Sequence, residues 1–192
     1  MKANQILLGL LPWLLFSFVT QHLGADTVGY AALASCLIGM VLTVRGALVD
    51  GFKTIDAAGV LTFAALAAVG LTGGHHTRQL LVDYGRAGSA FALAVIMLIS
   101  VLTVPFTEQY ARSSVDRRHW NSPAFRSVNR RISLLWSGVV FAAGVCHLIA
   151  GASGTGNLLL NWVIPLLLGA TAVKQTKAIV QESRARGTRT QP

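Results

Sequence analysis

The sequence predicts an all-α, polytopic membrane protein, a bundle of about six transmembrane helices with both ends in the cytoplasm. Three observations predict this fold class. Hydrophobic residues make up 53% and charged residues 12% of the 192 positions, which is too apolar for a soluble domain of this size. The apolar residues fall into long segments, and the basic residues lie almost entirely on one side of them.

Six apolar segments are each close to the roughly 20 residues that a bilayer-spanning helix needs. None of them alternates strictly between apolar and polar residues, as strands of a membrane β-barrel do, so helices are the expected spanning structure. One membrane domain, residues 1–181, would contain all of them, followed by a basic tail, 182–192, that is predicted to be disordered. The predicted spans are 6–23, 28–44, 55–71, 87–104, 132–149 and 158–173.

The first span has a second interpretation, because Lys2 followed by an apolar run that ends at Leu23 resembles a secretory signal. Pro12 and Trp13 interrupt the middle of that run. The large Leu23 also lies where a signal peptidase prefers a small residue. We therefore expect the segment to be retained as the first helix.

The connections between the spans differ in length. Residues 22–27 and 151–157 are short enough to form tight hairpins, whereas 105–131 is the largest connection and has room for structure. Within it, Ser122 can cap a helix that has Pro123 at its first position. The fifth long helix is therefore predicted to begin there.

The positions of the cations predict the orientation. With the N-terminus in the cytoplasm, the lysine and arginine residues divide 14 to 2 between the inner and outer segments, and only Arg78 and Arg86 lie outside. The positive-inside rule therefore assigns both termini and the connection 105–131 to the cytoplasm. The formal net charge of +9 follows from this topology, and no nucleic-acid partner is expected.

The cytoplasmic connection 105–131 mixes aromatic and basic side chains, a combination typical of the headgroup region of a membrane. Two interpretations remain open: these residues only anchor the topology, or they contact anionic lipid headgroups or partner proteins, such as other envelope or division proteins. The candidate contact residues are Arg112, Arg117, Arg118, Trp120, Arg126, Arg130 and Arg131.

A second candidate site is a polar pocket on the outer side of the bundle. Ionisable residues inside a membrane are costly and often functional, and His147 and Asn161 flank the same short hairpin. They can share one pocket if the fifth and sixth spans pack together. The candidate residues are Asp83, Arg86, His147, Asn157 and Asn161.

Neither a metal site nor any other cofactor is predicted. His75 and His76 are adjacent in a Gly-rich loop and point apart, and the sequence has no HxxxH or HExxH pair. Cys36 and Cys146 lie in apolar segments without CxxC spacing, so they are predicted to be small core residues.

Catalytic motifs are also missing, since the sequence has no P-loop, nucleophile elbow or GxGxxG after a strand. Lys53 and Asp56, near the start of the third span, are predicted to form a surface pair and not a proton relay. We therefore expect no enzyme. A small-solute or ion transporter is an alternative, although residues 1–72 and 85–173 do not align as the inverted repeats common in transporters. A haem- or metal-binding redox protein is the third class.

Small residues spaced four apart allow helices in lipid to approach closely. Such stripes predict the helix contacts of the bundle. They comprise Ala31, Ser35 and Gly39 in the second span, Ala64 and Ala68 in the third, Gly88 and Ala92 in the fourth, and Gly138 and Ala142 in the fifth.

Several short features occur together along residues 6–175. They are Leu11 and Pro12, Lys53 followed by Leu61, Thr62 and Phe63, then Pro105, Trp120, Asn129 and Trp136. In this arrangement the sequence resembles the bacterial intracellular septation protein A family, YciB. The resemblance implies a non-catalytic, multi-pass protein of the inner membrane that supports cell division and envelope synthesis through lipid and protein contacts. It implies no catalytic residues.

Overall fold

The computed structural model describes residues 3–51, 53–153 and 157–189. These residues form helices and turns with no β-strand among them, which confirms the all-α class. The α-helices are α1 (Ala3–Leu23), α2 (Val28–Asp50), α3 (Thr54–Thr72), α4 (His75–Ser100), the short α5 (Phe106–Ala111), α6 (Pro123–Ala152) and α7 (Ile164–Arg189).

Five helical segments in the described part of the chain are long and apolar enough to cross a membrane. They are Ala25–Val49, Thr54–Thr72, His75–Ser100, Pro123–Ala152 and Leu159–Ser183. Each contains most of one predicted span, from the second to the sixth. The segment predicted as the first span forms α1, which is helical over 21 residues but is not among these five.

Helix boundaries depart from the predicted spans where polar residues find partners beyond the apolar run. α4 begins at His75 rather than at residue 87, and its first turns are held because Arg78 Nε donates to the Gly70 carbonyl at 3.0 Å. α7 continues to Arg189, whereas the sequence analysis expected the tail 182–192 to be disordered. The remaining tail residues, 190–192, lie outside the described residues.

The start of α6 agrees with the prediction. Pro123 is the first helical residue, and the Ser122 hydroxyl oxygen accepts a hydrogen bond from the Phe125 N–H at 3.3 Å. The helix then runs without interruption to Ala152, so its first two turns precede the predicted span at 132–149. The hairpin that follows includes residues 154–156, which lie outside the described residues.

The first three helices share an apolar core. Phe16 of α1 and Phe63 of α3 are almost fully buried, and their ring centroids lie 5.6 Å apart. α2 and α3 cross in backbone contact, since a Cβ placed on Gly29 would lie 2.7 Å from the Gly70 carbonyl carbon. Contact of this kind between glycines is a common way for helices to associate in lipid, where van der Waals packing drives association.

The second half of the bundle is built on the antiparallel pair α4 and α6. A Cβ placed on Gly144 would meet the Phe91 ring at 2.9 Å, and one on Gly151 would clash with the Asp83 carbonyl oxygen. This register places residue 83 beside 151 and residue 91 beside 144. α7 packs along α6, and the Trp136 Nε1–H donates to the Thr176 hydroxyl at 3.1 Å.

Two polar contacts tie the halves together at one end of the bundle. Arg78 and Asp26 form an ion pair at 3.6 Å between α4 and the turn before α2. The Trp162 Nε1–H donates to Gln21 Oε1 at 2.9 Å, which joins the segment before α7 to α1. We call this the hairpin end, and we call the other end, which holds α5 and the starts of α3 and α6, the basic end.

Candidate functional site

At the basic end, the short helix α5 is attached to α6 by hydrogen bonds. The Thr107 hydroxyl donates to the Asn129 carbonyl at 2.8 Å and lies 2.9 Å from the Ser133 hydroxyl. The Phe106 N–H donates to the Ser100 hydroxyl at 3.1 Å, which fixes the turn that leaves α4. These contacts hold the connection between α4 and α6 against the bundle.

The other side of α5 contacts the start of α3. The Tyr110 hydroxyl donates to Asp56 Oδ1 at 2.7 Å, and Lys53 Nζ lies 4.8 Å from the centre of the Tyr110 ring. Gln109 Oε1 accepts a hydrogen bond from the Thr54 N–H at 2.9 Å. Burial and the negative charge of Asp56 raise the pKa of the Tyr110 phenol well above its ordinary value. Tyr110 is therefore a hydrogen-bond donor at neutral pH.

A buried carboxylate organises the segment that follows α5. Glu108 is only 3% exposed, and its Oε1 lies 2.6 Å from Arg112 Nη2. The Arg112 guanidinium carbon lies 5.0 Å from the centre of the Trp120 ring, and that of Arg117 lies 5.5 Å from it. The indole N–H of Trp120 donates to the Val115 carbonyl at 2.9 Å. Trp120 thus lies near two guanidinium groups and is hydrogen-bonded to the backbone.

The structure divides the predicted contact residues into two groups. Arg112 and Trp120 are half-buried and belong to the folded connection itself. The other residues, Arg117, Arg118, Arg126, Arg130 and Arg131, are exposed. A rigid support therefore presents several exposed guanidinium groups.

Three of the exposed arginines also have local partners. Arg118 Nη2 lies 3.0 Å from Asp116 Oδ2, and the hydrogen bonds from Arg118 lower the pKa of the Asp116 carboxyl. Arg126 Nη2 donates to Asn121 Oδ1 at 3.0 Å. Arg131 Nη1 lies 3.4 Å from Glu182 Oε2, which joins α6 to the late turns of α7. Ion pairs this exposed are weak, so the guanidinium groups remain accessible to other anions.

Toward the hairpin end, the structure brings two of the five residues predicted for the outer pocket into contact and places a third at the same level of the bundle. His147 Nδ1 of α6 lies 3.3 Å from Asn161 Oδ1, which is in a π-helical turn, Leu159–Val163, before α7. The register of α4 against α6, with Asp83 beside Gly151 and Phe91 beside Gly144, places Arg86 at the level of His147. A π-turn inside a helix frequently marks a functional position. We call Arg86, His147 and Asn161 the interior cluster.

The other two predicted residues serve the helices. Asn157 Oδ1 accepts hydrogen bonds from the backbone N–H groups of Leu159 and Leu160, so it caps the last helical segment. Asp83 Oδ1 accepts a hydrogen bond from Gln79 Nε2 at 3.1 Å, one turn earlier in α4. Neither is shown to contact the interior cluster.

Arg86 lies on the interior side of α4. Successive residues of a helix are rotated by about 100°, and Leu80, Tyr84 and Val95 mark the exposed side of α4. The positions that flank Arg86 on the helix surface, Ser89 and Ala90, are buried. Arg86 itself is half-buried, and its Nε and Nη1 atoms are buried within the bundle.

Polar atoms without a partner are concentrated in this cluster. Five buried side-chain polar atoms lack a hydrogen-bond partner among the described residues, and three of them belong to the cluster: Arg86 Nε, Arg86 Nη1 and Asn161 Nδ2. The other two are Ser35 Oγ in α2 and Arg112 Nε beside the Trp120 ring. Buried polar groups are normally hydrogen-bonded, so three such donors together are unusual.

A surface groove of about 390 Å³ lies between α3 and α4. Its lining is largely apolar and includes Leu61, Leu66, Val69, Gly88 and Ala92. None of the three cluster residues lines it, so this groove is not the pocket that was predicted around His147 and Asn161.

Within the described residues, no group of three or more His, Cys, Asp and Glu side chains is arranged to hold a metal ion. Cys36 is buried in the apolar core of the first three helices, and Cys146 is half-buried in α6. Both are free thiols.

The sequence did not reveal the polar network of α5. Lys53 was expected at the surface, in a pair with Asp56, but it is only 8% exposed. Asp56 accepts a hydrogen bond from Tyr110 of α5. The spacing of Glu108 and Arg112, four residues apart, is the one local signal that could have indicated a pair. The bonds between α5 and α6 join residues more than 20 positions apart and left no local signal.

No family model matches the chain, and neither a curated protein nor a solved structure matches it. The likeness to the septation protein A family therefore stays a prediction from the sequence.

Proposed function

We propose that this chain is a non-catalytic, multi-pass protein of the bacterial inner membrane that acts through its basic end. In this proposal α1 also spans the membrane, which brings the number of spans to six. Both termini lie in the cytoplasm, and the basic end contacts anionic headgroups and protein partners. The observation that carries the proposal is the exposed set of arginines held on a folded, hydrogen-bonded support.

The length of two helices supports a platform outside the hydrocarbon. α6 has 30 residues, about 45 Å at ~1.5 Å per residue, whereas the hydrocarbon core of a bilayer is about 30 Å thick. Its first turns carry Arg126, Arg130 and Arg131, and the Arg131–Glu182 pair aligns them with the end of α7. Two joined helices therefore extend together beyond the apolar part of the bundle.

Guanidinium groups suit this role because they pair with phosphate or carboxylate oxygens through two parallel hydrogen bonds. On the cytoplasmic face they would meet anionic lipids, where each cation near the surface contributes about 1 kcal/mol of attraction. The link to cell division and envelope synthesis is the part of the proposal that rests on the family resemblance alone.

A small-solute transporter is the second candidate function. The observation that favours it is the interior cluster, because an ionisable residue inside a membrane bundle is often part of a substrate or ion path. The groove between α3 and α4 does not favour it, since that groove is apolar and open at the surface.

The experiment for the proposed function compares two triple variants in cells that lack the natural chain. In one, Arg126, Arg130 and Arg131 become Gln, and in the other they become Lys. The Gln variant still leaves 11 inner cations against 2 outer ones, from 14 less 3, so the positive-inside rule predicts correct insertion. Reporter fusions after Arg118 and after residue 192 verify that insertion.

We expect both variants to insert with the basic end in the cytoplasm. The Gln variant should fail to restore normal division or envelope integrity, and the Lys variant should restore it only in part, because Lys offers a point charge without the planar geometry of Arg. Full rescue by the correctly inserted Gln variant would contradict the proposal. A periplasmic signal from either fusion of the unmodified chain would contradict the topology.

A further inference from the structure

We infer that the interior cluster of Arg86, His147 and Asn161 is a binding site for an oxyanion, that is, a carboxylate or phosphate group. This inference concerns the hairpin end and goes beyond the proposed function of the basic end, on which it does not depend. The ligand class follows from the buried hydrogen-bond donors that have no partner in the cluster.

The charge of Arg86 sets the first requirement on a ligand. A guanidinium stays protonated in proteins, and no carboxylate of the described residues lies within 4.0 Å of this one. Arg78 lies about two turns earlier in α4, and it differs from Arg86 because Asp26 and the Gly70 carbonyl are its partners. An interior cation without a counter-charge is costly unless an anion accompanies it.

The hydrogen-bonding groups that lack a partner in the cluster are donors. Arg86 Nε and Nη1 carry three N–H donors and Asn161 Nδ2 carries two, and all three nitrogen atoms are buried without a partner among the described residues. Asn161 is 4% exposed, and its Oδ1 is already engaged by His147. A ligand that completes this cluster must therefore supply acceptors.

A cation does not fit this cluster as a ligand. Arg86 would repel a cation, and the cluster itself contains no carboxylate to offset that repulsion. Oxyanions combine a negative charge with several acceptor oxygens, so they match both the charge and the donors. If the transporter candidate holds, its cargo would be an anion.

Two sources could supply such a group: the phosphodiester of a phospholipid, or a small anion that enters from the outer side. Both present the same oxygen chemistry to Arg86. The experiment is therefore run in detergent and in phosphatidylcholine nanodiscs, with sodium acetate and inorganic phosphate as probes and sodium chloride at equal ionic strength as the reference.

With the full chain in detergent, we expect acetate or phosphate to raise the melting temperature saturably, by about 5 °C when the probe is at about 100 times its Kd. Arg86→Met should abolish the rise. Arg78→Met, which removes the neighbouring but already paired arginine, should retain it. A rise that persists in Arg86→Met would mean a general salt effect and would overturn the inference.

Asn161→Asp keeps the inference testable if Arg86→Met folds poorly. This variant places a carboxylate within the cluster itself and so mimics the bound anion. We expect it to melt at a higher temperature than the unmodified chain in chloride and to lose the response to acetate and phosphate. A lower melting temperature together with an intact anion response would overturn the inference.

The source is decided by the nanodisc arm and by native mass spectrometry. A small-anion site should show the same rise in nanodiscs and detergent, with no lipid retained. A lipid site should show no rise in nanodiscs, and one phospholipid should stay bound to the unmodified chain and Arg78→Met but not to Arg86→Met. If neither probe shifts melting in either medium and no lipid is retained, the cluster is not an oxyanion site.

Discussion

At the basic end, the buried Glu108 carboxylate lies 2.6 Å from Arg112, whereas toward the hairpin end Arg86 has no carboxylate within 4.0 Å among the described residues. The first charge pair is also surrounded by hydrogen bonds that join α5 to α3 and α6. In the part of the chain that the structure describes, the interior cluster contains the hydrogen bond between His147 and Asn161, and three of its buried nitrogen atoms have no partner.

The difference separates polar groups that build the fold from polar groups that are available for binding. A buried network whose members satisfy one another rigidifies a structure, and removing one member leaves a partner exposed to an apolar surrounding. A cluster with excess donors lowers stability until something binds it. Substitutions at the two ends should therefore change the free energy of unfolding in opposite directions.

The largest effect is expected for Glu108→Gln. Losing the carboxylate leaves Arg112 half-buried without its counter-charge, and we expect the free energy of unfolding to fall by about 3 kcal/mol, at the lower end for a broken buried pair because Arg112 is partly exposed. Denaturant titration of the purified protein measures this. Asp116→Asn, which breaks an exposed pair with Arg118, is the matched control and should not change stability measurably.

The opposite sign is expected for Arg86→Met, measured in chloride without an added oxyanion. Replacing the unpaired guanidinium by an apolar side chain removes the penalty of its buried donors, so the free energy of unfolding should rise by about 2 kcal/mol. A fall of that size would show that Arg86 supports the fold as Glu108 does. The prediction that substitutions at the two ends change the free energy of unfolding in opposite directions would then be wrong.

A smaller loss is expected for Thr107→Val, which keeps the shape of the side chain but removes the hydroxyl that bonds Asn129 and Ser133. The free energy of unfolding should fall by about 1.5 kcal/mol. Thr171→Val is the control, because the exposed Thr171 hydroxyl donates only to the Leu167 carbonyl of its own helix. Equal losses in the two variants would mean that α5 is not held by these long-range bonds.

The sequence predicted the helical class and the positions of five helices that are long and apolar enough to cross a membrane, because a bilayer demands long apolar segments and their length is visible in the sequence. It predicted the start of α6 for a local reason as well, since Ser122 and Pro123 satisfy the first turn by themselves. Both kinds of prediction depend on residues close together in the chain.

Packing faces were harder to predict because Ala and Gly occur on every side of these helices. The stripe in α2 is on the packed side, with Ala31 and Ser35 buried. In α3, however, Ala64 and Ala68 are exposed, and the closest contact is made by Gly70. Small residues permit close approach, but the register of the neighbouring helix decides which of them is used.

The candidate sites show the same limit. His147 and Asn161 were candidates for one outer pocket that the sequence alone did not place together, and the structure puts His147 Nδ1 3.3 Å from Asn161 Oδ1. The inward direction of Arg86 depends on the rotation of α4 within the bundle, and the burial of Glu108 depends on how α5 lies across α6. Neither is set by the neighbouring residues in the chain.

The smallest effect is expected for Tyr110→Phe, and it should depend on pH. At pH 8 the lost hydrogen bond to Asp56 should lower the free energy of unfolding by about 1 kcal/mol.

The phenol of an unfolded chain ionises near pH ~10, whereas burial and Asp56 raise the pKa of Tyr110 in the folded chain. Above pH ~10 the unfolded chain therefore binds fewer protons than the folded one, and stability falls as the pH rises. Phe has no such proton, so the difference between the two proteins should shrink between pH 8 and 11 in denaturant titrations. A difference that stays constant over this range would show that Tyr110 ionises in the folded protein as it does in the unfolded one, and that the basic end is less tightly closed around α5 than its hydrogen bonds indicate.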